Sequence, residues 1–432
     1  MFVCILLKFI CSIPVKNEHL LFQKFIYLIN TIRVILKAYL TLLIWRDIMF
    51  DFAIVGSGAG GSTLAKELST DAKVAVLEKG ESYPKYVIGG DFVDIAYLNS
   101  IGGSTVCAVG NALRVKIKGI EIGDDIYDEI EEELNVKKPP YEFLREYAKK
   151  FLDFGFERTP KCIDFNKCNK CGKCAYKPCN AKWTAAEFIK KSNADVICGF
   201  EVKNIRKEGD VFYIDGIHKN SLKTIKARNV ILSAGGINSP RILSKVLDNE
   251  HIGKNLFVDM FVTIGGVLKD TYLNKDVQMV VYKKYGDFIL ASHYSELLYG
   301  RISKYEKVRR EDIIGIMIKI KDENIGEVGG DYVLKPITKK DTQILSEGVS
   351  EASKILHEFG VGNIYSTIPR GSHPGGTCSV KKVVDENLET EVEGLYVCDA
   401  SVFPEAPGSP PILAIIGIAK RLARYLKDEK MQ

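Results

Sequence analysis

Runs of apolar and polar positions change period repeatedly along this chain, and each change marks an element. Phe52-Ala53-Ile54-Val55 is continuously apolar and breaks at Gly56-Ser57-Gly58-Ala59-Gly60-Gly61. Helical spacing follows in Ser62-Thr63-Leu64-Ala65-Lys66-Glu67-Leu68. A second apolar run, Lys73-Val74-Ala75-Val76-Leu77, ends on Glu78. Strand, glycine turn, helix and strand in that order predict a βαβ unit. Residues 124–134 read as an acidic helix. Pro139-Pro140 opens another, with Tyr141, Leu144, Ala148, Phe151 and Leu152 on one side and Gly155 as its stop. The spacing predicts a helix over 184–193, strand and turn over 194–205, and an apolar strand over 224–232. That strand runs into Ser233-Ala234-Gly235-Gly236-Ile237-Asn238-Ser239-Pro240-Arg241. Strand-like runs at 261–268, 277–283, 287–292 and 313–320, with turn signals between them, predict an antiparallel sheet. A helix over 341–359 ends at Gly360, and a long apolar helix closes the chain.

The glycines give the first unit its chemistry. Gly56, Gly58 and Gly61 have G-x-G-x-x-G spacing: a sharp turn off the strand, close approach of backbone to a pyrophosphate, and close helix packing. The helix N-terminus offers free N–H groups to the phosphates. Glu78, 22 residues after Gly56, is placed to accept from a ribose hydroxyl. The adenosine half of FAD or NAD is expected here. A second turn, Ile101-Gly102-Gly103-Ser104-Thr105, is either a tight loop or a set of donors for the pyrophosphate or the flank of a flavin ring.

Composition narrows the class. Apolar residues make up 46% of the 432, ample for a large core. The net charge is +5, of which residues 1–48 hold +4, so nothing in the remainder resembles a nucleic-acid-binding surface. The longest uncharged apolar run of that N-terminal stretch, 38–45, is far below the roughly 18 residues of a spanning helix. Residues 20–45 could lie on a membrane surface as a basic amphipathic helix. Alternatively, 1–48 is an extension outside the fold and the working protein begins at Met49. A cytoplasmic location, with or without peripheral membrane contact, is expected. Five of the eleven cysteines fall between 162 and 179, which suggests metal or redox chemistry more than a disulfide framework. Cys168, Cys171 and Cys174 have the tripod spacing of an iron–sulfur loop, with Cys179 or Cys162 as fourth ligand. Structural zinc and a metal-free loop are the alternatives.

The C-terminal fifth carries His373-Pro374-Gly375-Gly376-Thr377-Cys378, then Cys398-Asp399-Ala400-Ser401-Val402-Phe403-Pro404 and Gly408-Ser409-Pro410-Pro411. With the glycine unit, the Gly-Gly-Ser-Thr turn, the Ala-Gly-Gly-Ile-Asn-Ser-Pro run and Gly253-Lys254-Asn255-Leu256, these resemble the motifs of the glucose–methanol–choline (GMC) oxidoreductase family, in that family's order. The cysteine loop is similar to one in the long-chain alcohol oxidase branch. The resemblance implies an α/β fold in which an FAD-binding Rossmann-like domain (50–115, 195–260 and 372–432) is interleaved with an antiparallel-sheet substrate domain (261–371). An insertion (116–194) carries the cysteines. It implies FAD held by Gly56, Gly58, Gly61, Glu78, Gly102, Gly103, Ser104, Asp399 and Ala400, with His373 as the base. Removing a hydride from an alcohol carbon also releases the O–H proton, which a neutral imidazole accepts near neutral pH.

Two positions depart from the family. Ser409 stands where members carry His or Asn; serine donates a hydrogen bond but is no base at neutral pH, and the Pro410-Pro411 after it also suits a helix N-cap. Ala108 stands where relatives often have Asn. The implied function is an FAD-dependent dehydrogenase of a CH–OH group in a small-molecule alcohol or polyol-like substrate, with an electron acceptor other than oxygen. An electron-transfer flavoprotein subunit with an iron–sulfur cluster, or a flavin-bound protein with a zinc-stabilised docking loop, are the rivals.

Overall fold

The computed structural model describes residues 48–81, 85–175 and 179–430. The N-terminal extension 1–48, with the expected membrane-surface helix 20–45, lies outside them but for residue 48. Among the described residues no helix is long and apolar enough to cross a membrane.

The first sheet grows from the βαβ unit. Strand Met49–Val55 pairs in parallel with Val74–Glu78, which pairs in parallel with Asp195–Cys198. Its other neighbour is the twelve-residue strand Ser221–Leu232. The C-terminal end of this long strand pairs in parallel with Leu395–Val397. Its N-terminal part continues as an antiparallel meander through Val211–His218 and Phe200–Glu208. Val74–Glu78 is buried throughout, as a strand covered on both faces must be. Helix Ala59–Leu68 covers it and packs against the last helix, Ile412–Lys430. The buried Lys420 ties these two to helix Asp124–Glu133 by ion pairs with Glu67 and Glu129 (3.0 and 2.7 Å).

The second sheet is built from Phe261–Val267, Ile313–Ile320, Phe288–Ser292 and Val281–Lys284, all antiparallel to their neighbours as the turn-separated runs predict. Two strands not visible as such in the sequence, Lys85–Gly89 and Asp94–Asn99, extend its far side. Helix Lys339–Glu358 crosses three of its strands. That helix starts on a capping box, Thr338 and Asp341 each bonding the other's backbone N–H. Gly348 lets it sit on Ile318: a methyl group there would collide with the isoleucine side chain. The fold is thus α/β, a Rossmann-like parallel sheet interleaved with an antiparallel one.

Pro139-Pro140 does not open a continuous helix. A short 3-10 turn, Tyr141–Phe143, precedes helix Glu146–Leu152, because Leu144 turns to extended backbone and splits the apolar face. The last helix begins at Ile412, so Ser409 is not its cap.

Candidate active site

Motifs far apart in sequence meet around one cavity of about 700 Å³, within the range of ligand sites. At its nucleotide end, Gly56 leaves the first strand with φ +100°, and a Cβ on it would press on the Ser233 carbonyl at 2.5 Å. A Cβ on Gly58 would meet no protein atom within 4 Å; it would project into space against which a phosphate chain can be laid. Glu78 also lines this end. Its carboxylate accepts from the Ser57 N–H and hydroxyl (2.9 and 2.7 Å) and from the Gly80 N–H (2.7 Å), so it braces the glycine turn as well as facing the cavity. Burial raises the Glu78 carboxyl above its ordinary range, against those three bonds.

Gly103 and Ser104 line the cavity, whereas Gly102 lies behind the wall, where its N–H donates to the Ser57 hydroxyl (3.1 Å). Asp399 and Ala400 line it as well. Asp399 is an N-cap that accepts from Ser401, and its other oxygen accepts from the Gly235 N–H (2.8 Å) and the Ser239 hydroxyl (2.6 Å). It therefore clamps the Ala-Gly-Gly turn to the C-terminal motif. The His-Pro-Gly-Gly turn packs on the same place: Thr377 donates to the Gly236 carbonyl (2.7 Å), and Gly376 N–H to that of Ala400 (3.1 Å). The residues present fit an FAD-like dinucleotide: a glycine cradle, a helix start and an acid in one cavity.

His373 lines the cavity as well. Its Nδ1 lies 2.9 Å from Asp259 Oδ2 and 2.8 Å from Lys319 Nζ. Asp259 is wholly buried and Lys319 nearly so, with 3.8 Å between their charged atoms. One nitrogen cannot donate to the carboxylate and accept from the ammonium together. We assign the proton to Nδ1, because the alternative sets a lone pair against the Asp259 carboxylate, whereas Lys319 can turn its hydrogens elsewhere. Nε2 is then left as the basic nitrogen. Burial and the neighbouring Lys319 push His373 below its ordinary value, against the opposing pull of Asp259. Burial also lowers Lys319, against Asp259 and Asp322.

Asp259 is itself held in an uncommon backbone state, φ +49°. The amides on either side of it, Val258 and Met260, both donate to the carboxylate of Asp322 (3.1 and 3.0 Å), which pairs with Lys335 at 3.1 Å. The remaining oxygen of Asp259, Oδ1, accepts from the Gly408 N–H (3.0 Å). Ser409 follows directly, but it is buried, only 3% exposed, and does not line the cavity; Pro410 and Pro411 form that part of the wall. Ala108 does line the cavity, beside Asn111.

His293 is a second imidazole on the wall, its Nδ1 2.9 Å from the Thr263 hydroxyl. Burial pushes its pKa down to about 4. Unfolded histidine titrates near pH 6.5, so between these values the unfolded chain binds the proton that the folded one refuses. Stability is therefore undiminished above about pH 6.5 and falls as pH drops toward 4, by on the order of 3 kcal/mol from this residue. Urea midpoints across that window should decline less steeply in His293→Asn than in the unmodified chain; equal slopes would refute the assignment.

The cysteines sit apart from the glycine cradle. Cys174 is buried, Cys168 and Cys179 are half-buried, and Cys171 is exposed. Among the described residues, the one group of three or more acidic, histidine or cysteine side chains with ligand atoms within 4.8 Å is Glu67, Glu129 and Glu133, around the Lys420 ammonium. A tetrahedral zinc would hold its sulfurs about 3.8 Å apart, so no zinc geometry is preformed there.

Asp259, Lys319 and His293 were not singled out by the sequence reading. The available signal was a lone lysine inside the otherwise apolar Ile313–Ile320, every residue of which is buried.

Family models described as GMC oxidoreductase match residues 115–261 and 336–419. An uncharacterized protein of Methanocaldococcus jannaschii is 54% identical over 379 residues, which is 88% of this chain and all of that one. The long-chain-alcohol oxidase of Arabidopsis thaliana is 22% identical over 281 residues, 48% of this chain and 36% of that protein. The crystal structure of pyridoxine 4-oxidase from Mesorbium loti shares the fold, with a TM-score of 0.69 at 17% identity over 88% of this chain and 99% of that one. The motifs that meet around the cavity and the family matches agree: this chain belongs to the GMC oxidoreductases, a family of FAD-binding oxidoreductases.

Proposed function

We propose that this protein oxidises the CH–OH group of a small-molecule alcohol or polyol-like substrate. The observation that carries this reading is an imidazole, His373, on the wall of the same cavity as the glycine cradle, with a buried carboxylate 2.9 Å from its Nδ1. Bound FAD would supply the hydride acceptor. His373 Nε2 takes the hydroxyl proton as the C–H bond is broken, and Asp259 supports the resulting imidazolium. Asn111, His293 and Lys319 also line the cavity and suit a substrate with more than one polar group. Phe261, Met279 and Met317 give the cavity apolar wall beside these polar groups. The electron acceptor in this reading is one other than oxygen.

The test is anaerobic mixing of the purified FAD-loaded protein with a panel of polyols, hydroxy acids and aliphatic alcohols while the oxidised-flavin band is watched. Bleaching by at least one of them, with negligible oxygen uptake on aeration, is expected. A protein that binds FAD but is bleached by none would overturn the reading.

A further inference from the structure

Two lysines lie out of solvent beneath the cysteine loop. Lys161 is 0% exposed; its Nζ donates to the carbonyls of Val109 and Gln278 (3.2 and 2.9 Å) and to Asn111 Oδ1. Lys182 is 5% exposed; its Nζ donates to the carbonyls of Val106 (2.9 Å), Ala108 and Cys174 (3.1 Å). Three acceptors around one amine take three N–H donors, so each group is an ammonium. All six acceptors are uncharged, and among the described residues no carboxylate forms an ion pair with either lysine. A buried charge without a partner is strongly unfavourable, and two side by side are more so through mutual repulsion.

The buried carboxylate of Asp276 acts on Lys161 alone, without forming an ion pair with it; the other groups at hand that can carry negative charge are sulfurs. Cys174 lies directly against Lys182, whose Nζ bonds its carbonyl, and Cys162 follows Lys161 in the chain. Cys168 in turn feels Cys171, Cys174 and Cys179, so these four form one neighbourhood. Cys168, Cys174 and Cys179 pack against a single apolar cluster. The turn between the second and third cysteines is fixed: Gly172 has φ +70°, and a side chain there would collide with the Asn274 carbonyl. Its own carbonyl accepts from the Gln278 amide (3.1 Å).

We propose that Cys168, Cys171, Cys174 and Cys179 hold an iron–sulfur cluster whose negative charge is balanced by the buried ammonium groups of Lys161 and Lys182. Metal-bound thiolates are deprotonated outright, and a cluster held by four of them keeps a net negative charge in its oxidised state. A cluster also spreads its ligands farther apart than one tetrahedral ion does, in keeping with sulfurs that are neighbours yet not within zinc distance. The site is next to the cavity: Lys182 joins the Cys174 carbonyl to that of Ala108, a wall residue. A one-electron carrier would stand there against the compartment in which the proposed oxidation takes place.

The experiment is purification of the whole chain without oxygen, with iron, acid-labile sulfide and zinc measured alongside FAD, and electron paramagnetic resonance of the dithionite-reduced protein. Iron and sulfide in comparable amounts and a reduced-cluster signal are expected. Cys171→Ser, at the exposed edge, should lower the iron content tenfold or more, with FAD content unchanged and the thermal midpoint lowered as the two ammonium groups lose their counter-charge. Lys182→Met should move the cluster's midpoint potential to more negative values, since removing a nearby positive charge disfavours the added electron. Zinc without iron, no metal in the cysteine-reduced protein, or iron retained in Cys171→Ser would overturn the proposal. An unmoved potential in Lys182→Met would overturn the charge balance. Metal content is read independently of alcohol bleaching, so failure of the cluster and failure of the proposed oxidation are told apart.

Discussion

Asp259→Asn is expected to lower the turnover of the alcohol oxidised by the unmodified protein by about 10²–10⁴-fold while leaving FAD bound. The carboxylate is what holds the Nδ1 proton of His373 and leaves Nε2 basic. An amide in its place can present its NH₂ to Nδ1, which selects the other tautomer and puts the proton on Nε2, where a base is needed. The pH profile separates this from simple loss of shape. His373 must be neutral, so activity rises with pH through its lowered pKa. Asp259 is the partner that raises that value, so removing its charge should move the acid limb to still lower pH as the plateau drops. A variant that loses activity with an unmoved limb would show that Asp259 does not act through the imidazole.

The second large effect is on stability. Asp322→Ala should destabilise the protein by about 3–5 kcal/mol, the usual cost of removing one partner of a buried pair. Asp322 and Lys335 are 2% and 0% exposed, and Asp322 also accepts from two amides, so its loss strands both amides in the interior and leaves Lys335 with the more distant Asp341 (3.9 Å). Those amides flank Asp259 and hold its positive φ. Turnover should therefore fall in the same variant even at temperatures where it remains folded. Guanidinium unfolding gives the first number and an assay well below the transition gives the second; a midpoint shift worth under about 1 kcal/mol, typical of a surface pair, would contradict the account.

The nucleotide end of the site was open to reading because its chemistry is local. Gly56, Gly58 and Glu78 sit within one βαβ unit, and the period of the apolar residues gives the elements between them. The four main strands of the second sheet were legible for the same reason. Lys85–Gly89 and Asp94–Asn99 were not, since a Gly-Gly pair and short polar interruptions read as loop, and only pairing with each other and with Arg370–Gly371 makes them strands. The strand Val211–His218 likewise takes its state from its two neighbours. At the catalytic end the contrast is sharper. His373 stood out by its motif, but its partners Asp259 and Lys319 lie 114 and 54 positions away. Nothing local in either residue announces a contact that only the folded sheet creates. Ser409 shows the converse, a position expected from the family resemblance that the chain covers with prolines instead.

The strand Ser221–Leu232 and the last helix carry one more implication, for biosynthesis. The strand's C-terminal end finds its parallel neighbour only at Leu395–Val397, and helix Ile412–Lys430 closes over Ala59–Leu68. The cavity wall runs from Val55 to Ile415. While the ribosome is still making the middle of the chain, the glycine turn is already out, yet most of the enclosure that would retain a dinucleotide has not been translated. Such long-range pairings form slowly and leave sheet edges exposed in the meantime. Cofactor capture is therefore a late event, following release of a nearly complete polypeptide, and FAD supply acts on the final closure of the chain more than on its early collapse.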